Sequence, residues 1–358
     1  METKEKGFKA FLKRKNIIVS GKRYFIDAMG AMANGLFASL LVGTIIATLG
    51  QVLEIQTLID IGNYGKQVAG PAMAVSIAYA LQAPPLVMFS MLAVGSAANT
   101  LGGAGGPLAV FFIAIIATEI GKVVSKETKV DLLVTPIVTI CVGALLSMGV
   151  APYIGSAASK IGEFIMWATE LHPFMMGILV AVIVGIVLTL PISSAAICAA
   201  LGLTGLAGGA AVAGCSAQMV GFAVMSYREN KVGGLVSQGI GTSMLQMGNI
   251  VKNPRIWIPP TLAAAITGPI ATCIFQLKMN GEAIASGMGT CGFVGQIGVY
   301  SGWVNDVAEG TKSAITAMDW VGLILVSIVL PAILSQIFCL ILRKIGWIKK
   351  DDLILNNL

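Results

Sequence analysis

Charge is what this chain has least of. Only 11% of its 358 residues are Asp, Glu, Lys or Arg, while 56% are hydrophobic and the mean hydropathy is +0.87. A soluble domain usually carries about 25% charged residues, and half that amount does not cover the surface of a soluble globule of this length. An ordinary water-soluble protein is excluded, and the chain is placed in a bilayer. Histidine is almost missing. With His172 alone there is no His-rich metal site and no H-E-x-x-H. No G-x-x-x-x-G-K-[ST] occurs, which excludes nucleotide binding through a Walker A loop. The cysteines, Cys141, Cys198, Cys215, Cys273, Cys291 and Cys339, never take C-x-x-C spacing and read as small packing residues. No polar stretch is long enough for a catalytic domain. The middles of the strong spans hold no acid–base ladder of the kind a proton pump needs. The sequence predicts a protein that is not an enzyme and needs no cofactor or metal.

The charge that is present is clustered. Eight of the 23 basic residues lie in the first 25 positions: Lys4, Lys6, Lys9, Lys13, Arg14, Lys15, Lys22 and Arg23. Arg343, Lys344, Lys349 and Lys350 lie near the other end. Both clusters flank long apolar segments, so the net charge of +6 reads as membrane topology and contact with anionic lipid, not as direct nucleic-acid binding. The positive-inside rule puts both termini in the cytoplasm. The basic start and the run Phe25 to Leu49 do not read as a secretory signal. The run is too long, and no A-x-A-like site follows it.

The pattern predicts an all-α polytopic membrane protein of about eight to ten crossings plus re-entrant pieces. The first span is Ile26 to Leu49, with Asp27 paired to Arg23. Two short runs, Val68 to Leu81 and Leu86 to Ala98, flank Pro84-Pro85. A third crossing at Pro107 to Ile120 returns the basic loop Lys122, Lys126, Lys129 to the cytoplasm. Glu119 and Asp319 read as interface anchors. Leu132 to Tyr153 is a span, and Ser156 to Leu171 an amphipathic stretch along the interface. Phe174 to Leu190, Ile256 to Leu277 and Val321 to Leu342 are further spans. Gly234 to Val251 reads as a second amphipathic helix, whose polar residues include Gln246 and Asn249.

Forty-three glycines allow close helix contacts, but two groups of them do more. Ala196-Ile197 matches Ala283-Ile284, Leu201-Gly202 matches Met288-Gly289, and Gly205-Leu206 matches Gly292-Phe293. Gly208 matches Gly295, and Val212 matches Val299, all at an offset of 87 residues. A fainter version lies at Leu101-Gly102 and Gly105. Glycines three apart can make a smooth helix face. Duplicated in apolar surroundings, they point to broken-helix hairpins over 193–212 and 280–299. Such interruptions are tolerated only around protein or a wet cavity, and in pairs they mark a transporter's substrate site. Ser216 and Gln218 follow the first hairpin, and the second holds Thr290 and Gln296. Uncharged hydroxyls and amides suit a neutral polyhydroxylated solute. The substrate-binding candidates are His172, Gly205, Ser216, Gln218, Gln246, Asn249, Thr290, Gly292 and Gln296.

At the Leu171-His172-Pro173 turn, the span after it and the two hairpins, the chain resembles an EIIC membrane component of the sugar phosphotransferase system. The likeness is greatest to a short, PfoR-like branch described as toxin regulators. The resemblance implies a multi-pass protein of a bacterial inner membrane. It further implies a homodimer formed by the N-terminal half, a solute site in the C-terminal half, and separate cytoplasmic phosphotransferase subunits as partners. It gives His172 the place of a ligand near a helix start. The family's glucose-type branch also has a Glu in a G-I-T-E-P-like turn. Here the turn reads Gly289-Thr290-Cys291-Gly292-Phe293-Val294-Gly295-Gln296, with no acid, and Gln296 is the nearest polar group. The expected division is a basic segment 1–25, a scaffold and dimerisation region 26–155, a transport region 156–343 and a cytoplasmic tail 344–358. The expected function is transport of a small polar solute by alternating access. The alternative is a membrane-embedded sensor that binds a solute or partner and signals through the basic N-terminal segment.

Overall fold

The computed structural model describes residues 7–355. Lys4, Lys6 and the last residues of the expected tail lie outside that range. Among the described residues every named element is helical, and the one extended pairing is an isolated antiparallel bridge between Gly205 and Met279. Six helical stretches are long and apolar enough to cross a membrane: Arg23–Gln51, Pro85–Val124, Asp131–Thr169, Gly205–Met225, Pro254–Ile274 and Ala317–Ile345. Two shorter apolar helices, Ala69–Ala80 and Pro173–Thr189, accompany them. The stretch Pro85–Val124 is itself two packed helices. The chain reverses at Gly103, where φ is +51°, inside the faint third glycine group.

The chain packs as two units. One comprises residues up to 40 and 64–156, the other 41–63 and 157 onward. In the first unit small residues set the helix spacing. A Cβ on Gly35 would lie 2.5 Å from the Ala72 carbonyl oxygen, and one on Gly70 2.5 Å from that of Gly95. Lys122 is not in a loop. It lies in Gly106–Val124, is 1% exposed, pairs with Glu119 at 2.9 Å, and donates to the carbonyls of Asn16 and Leu81 at 2.8 and 3.0 Å. Arg23 does not pair with Asp27. Its guanidinium donates to the same Leu81 carbonyl at 2.5 Å, so two cations satisfy the end of the Ala69–Ala80 helix.

Two expected boundaries move. Asp131–Thr169 is one 39-residue helix with Pro136 and Pro152 inside it, so Ser156 to Leu171 continues the preceding span. A proline removes one backbone bond and favours a kink, but here the flanking turns hold the helix together. Gly234 to Val251 is not one helix. A π-turn Ser237–Gly241 leads to extended Thr242 (φ −160°, ψ 144°), then a short 3-10 turn and the helix Met247–Lys252.

In the second unit Gly205–Met225 is almost wholly buried between Pro173–Thr189 and Pro254–Ile274. Its Gly and Ala run lets three backbones approach. A Cβ on Gly185 would meet the Gly214 carbonyl oxygen at 2.7 Å, and Gly214 and Gly268 press on Ala181 and Gly177 still more closely. Pro173 begins its helix after His172. A capping box between Thr316 and Asp319 starts the last helix.

Candidate functional site

Both glycine groups break helices, and they do so at matched places. In the first, Ser193 caps Ser194–Ala200 by accepting from the Ala196 N–H at 3.2 Å. The chain then breaks, and Gly202 and Gly205 have φ of +59° and +64° before the long helix begins. In the second, Ala283–Ser286 leads into a break where Gly289 and Gly292 have φ of +54° and +52°, before Val294–Ala308. The paired positive-φ glycines are the ones the offset aligns. Other residues pay about 1–2 kcal/mol to adopt that conformation. Phe293 adopts it too, at +58°, a strained state for a bulky residue.

The hairpins touch. The Ser194 hydroxyl donates to the Gly287 carbonyl at 2.7 Å. Added Cβ atoms show how tightly the second tip lies on the first hairpin and the helix that continues from it: from Gly287 to the Ser194 carbonyl oxygen 2.6 Å, and from Gly289 to the Ser216 nitrogen 2.8 Å. Gly205 and Met279 exchange two backbone bonds of 3.0 Å.

Three of the polar candidates converge at this contact. Gln296 donates from Nε2 to the Ser216 hydroxyl at 3.2 Å, while its Oε1 is buried without a hydrogen-bond partner. Thr290 donates to the Gly239 carbonyl at 2.5 Å. Gln218, two residues on from Ser216, is fully engaged. Its Oε1 accepts from Trp257 Nε1 at 3.0 Å and its Nε2 donates to Thr261 at 3.1 Å. Thr189 lies 3.4 Å from the same Oε1 and 2.8 Å from Ser243. Sequence reading missed Thr189, Ser243, Trp257 and Thr261. Only the Trp257–Thr261 spacing of four, which places both on one helix face, hinted at them.

The other candidates lie elsewhere. His172 is exposed at the far end of Pro173–Thr189. Seventeen residues put it about 25 Å from Thr189 along the axis, beside Thr272, which donates to the Pro173 carbonyl at 2.8 Å. Gly205 sits about 16 Å along its helix from Ser216. A Cβ on Gly292 would meet Ile45 at 3.1 Å. Gln246 and Asn249 reach the C-terminal segment, donating to the carbonyls of Leu353 and Ile354 at 3.0 and 2.8 Å.

A cavity of about 440 Å³ opens two helical turns from Gln296. Phe275, Leu277 and Trp303 form its apolar wall, and Gln276, Lys278, Asn280, Asp306, Thr311, Lys312 and Asp319 complete it. Lys312 pairs with Asp319 at 2.7 Å and stands 5.9 Å from the Trp303 ring centre. Asn280 donates to both Asp306 oxygens at 3.1 Å. Two lysines and two aspartates cancel, so the lining is polar without net charge.

Residues 26–355 match the family model described as "Phosphotransferase system, EIIC". No curated protein and no solved structure matches the chain.

Proposed function

This chain belongs to the EIIC family of the phosphotransferase system, a family of membrane sugar-transport components, and on that premise we propose that it moves a small neutral polyhydroxylated solute by alternating access, with the two hairpins as its gate. The observation that carries this reading is the buried, unpartnered Oε1 of Gln296 beside the Ser216 hydroxyl. A buried acceptor left unpaired costs about 1–3 kcal/mol, and a solute hydroxyl would relieve it. Among the described residues, the side chains that meet at the hairpin contact, Ser194, Ser216, Thr290 and Gln296, are uncharged, which fits an uncharged ligand. The uncharged-overall cavity near Trp303 and Asp306 offers the same solute a waiting place on the same helix, because an aromatic wall and amide or carboxylate rims suit sugar rings and hydroxyls. The sensor reading would use the basic N-terminal segment as its output surface. Arg14 and Lys15 there are engaged with Glu127, at 2.7 and 2.5 Å, so that reading has less support.

The test is binding and uptake by purified protein in proteoliposomes over a panel of sugars and polyols, with Gln296→Leu alongside. The variant should bind the responsive solute roughly 5- to 30-fold more weakly, the value of about 1–2 kcal/mol. Equal affinity in variant and wild type would remove Gln296 from the site. Binding without uptake, in the presence and absence of the cytoplasmic phosphotransferase subunits, would favour the sensor.

A further inference from the structure

Beyond the last long helix the chain does not trail away. Gly346 takes φ of +82° and ends the helix, and the following residues fold back against the second unit. Four amide side chains receive them. Asn253 donates to the Trp347 carbonyl at 2.9 Å and to Asp352 at 2.8 Å. Asn230 donates to the Leu353 carbonyl at 2.8 Å and accepts from the Leu355 N–H at 2.9 Å. Gln246 and Asn249 hold the Leu353 and Ile354 carbonyls. Leu353 is fully buried and Ile348 is 2% exposed, while Arg255 lies 5.1 Å from the Trp347 ring centre. Amides that bond backbone groups of a non-helical segment read its path, much as a receptor reads an extended peptide.

The seat is joined to the second hairpin. Gln246 Nε2, which holds the Leu353 carbonyl, also donates to Gln238 Oε1 at 2.8 Å. Gln238 is anchored in turn to Ser226 at 2.8 Å and to the Gly234 carbonyl at 2.9 Å. It lies in the π-turn Ser237–Gly241, and the next residue, Gly239, presents the carbonyl that Thr290 of the hairpin tip bonds. One five-residue turn is thus held from one side by the tail and from the other by the hairpin. A π-turn with an extended residue after it lacks a regular ladder to keep its shape alone.

We propose that residues 347–355 are a latch: seated, they fix the 237–241 turn and with it the tip of the second hairpin, and unseated, they release both. The mobile tip is then regulated by occupancy of a peptide seat at the end of the molecule that carries the tail. Such coupling needs one element with two arrangements that both sites bias, and the 237–241 turn is that element.

Hydrogen exchange on the full chain in lipid nanodiscs tests this without any transport assay, so its failure would leave the proposed function standing. In the wild type, amides of 347–355 should be protected; free exchange there would overturn the latch at once. In Leu353→Asp the buried anchor becomes charged and the tail should unseat. Peptides covering 237–243 and 287–293 should then exchange at least about tenfold faster, a shift of ~1.4 kcal/mol, while 205–225 should not change. If that variant does not yield folded protein, Asn230→Ala with Asn249→Ala carries the same test. A tail that unseats while 287–293 keeps its protection would overturn the coupling. A tail that stays protected in every folded variant would overturn the seat.

Discussion

At the scale of single residues, the glycines divide into two kinds that the sequence does not distinguish. Some are needed for conformation and some for space. Gly205 has φ of +64° with open space around its missing side chain, whereas Gly185 has an ordinary backbone and a neighbouring carbonyl 2.7 Å from where a Cβ would sit. Gly289 has both constraints, φ of +54° and Cys215 within 2.7 Å. Gly205→Ala should therefore cost about 1–2 kcal/mol, and Gly289→Ala should cost more and be the most damaging of the aligned set. Gly185→Leu should unfold the protein as readily as a hairpin variant. Gly149 has open space and no positive φ, and because Ala favours a helix over Gly, Gly149→Ala should leave melting in detergent no lower than that of the wild type. Equal melting temperatures for all four would refute this ordering. The repeat made the two broken segments legible, because matched backbone needs leave matched spacings, but it aligns Gly208 with Gly295, which need space, alongside the positive-φ pairs. The network around Gln218 was illegible, because Thr189, with Ser243 bonded to it, and Trp257 and Thr261 come from three separate segments of the chain, and hydrogen bonds of that kind leave no periodicity. Trp257→Phe keeps an aromatic ring, though a smaller one, and deletes the donor to Gln218 Oε1. It should destabilise by about 1–3 kcal/mol, read as a lower thermal midpoint.

At the scale of elements, most of the apolar runs gave their spans to within a few residues, since length and hydrophobicity are what a bilayer demands, but Gly205–Met225, whose start carries the hairpin pattern, was not legible as a span. Boundaries inside polar or mixed stretches were not legible. The Asp131–Thr169 helix passes through two prolines, and the amphipathic pattern after Val236 belongs to turns that expose and bury residues for tertiary reasons. The N-terminal helix Phe8–Arg14 was also invisible as an element, its basic residues having been read only as topology signals. Glu127 ties the end of this helix down. The hydrogen bond from Lys15, aided by the charges of Arg14 and Lys15, holds the Glu127 carboxyl below the usual glutamate range. A carboxyl depressed on folding adds stability that is present above its unfolded value of about 4.3 and fades as pH falls through the lower folded value. Residues 8–20 should thus become protease-sensitive as the medium is acidified below about pH 4. Glu127→Gln should show that sensitivity at neutral pH and lose the pH dependence. The tie is solvent-exposed, so high salt should weaken it as well.

At the scale of the whole molecule, Asp131–Thr169 is the least covered of the six candidate spans among the described residues. Only 22% of its most apolar window is buried within the chain, and Leu132, Leu133, Leu145, Met148 and Tyr153 are exposed. Lipid accounts for such a surface on one span. However, 39 residues reach about 58 Å, well beyond a hydrocarbon core of about 30 Å, so at the usual tilts of up to about 40° part of this helix lies outside the core. A second copy of the chain would cover that excess, and we propose that this helix forms part of the homodimer surface of the N-terminal half. The helix carries its own reporter, because Cys141 is exposed on it. The protein in nanodiscs, with the other exposed thiol removed as Cys273→Ser, should form a disulfide-linked dimer on mild oxidation if the faces are apposed, and the added Cys141→Ser should abolish it. Single cysteines at Leu145 and Met148, one and two turns further along the same helix, should crosslink with the same periodicity, and cysteines in Ala317–Ile345 should not. Monomers throughout, or crosslinks confined to the last helix, would leave the Asp131–Thr169 face to lipid and move the dimer contact to the other unit.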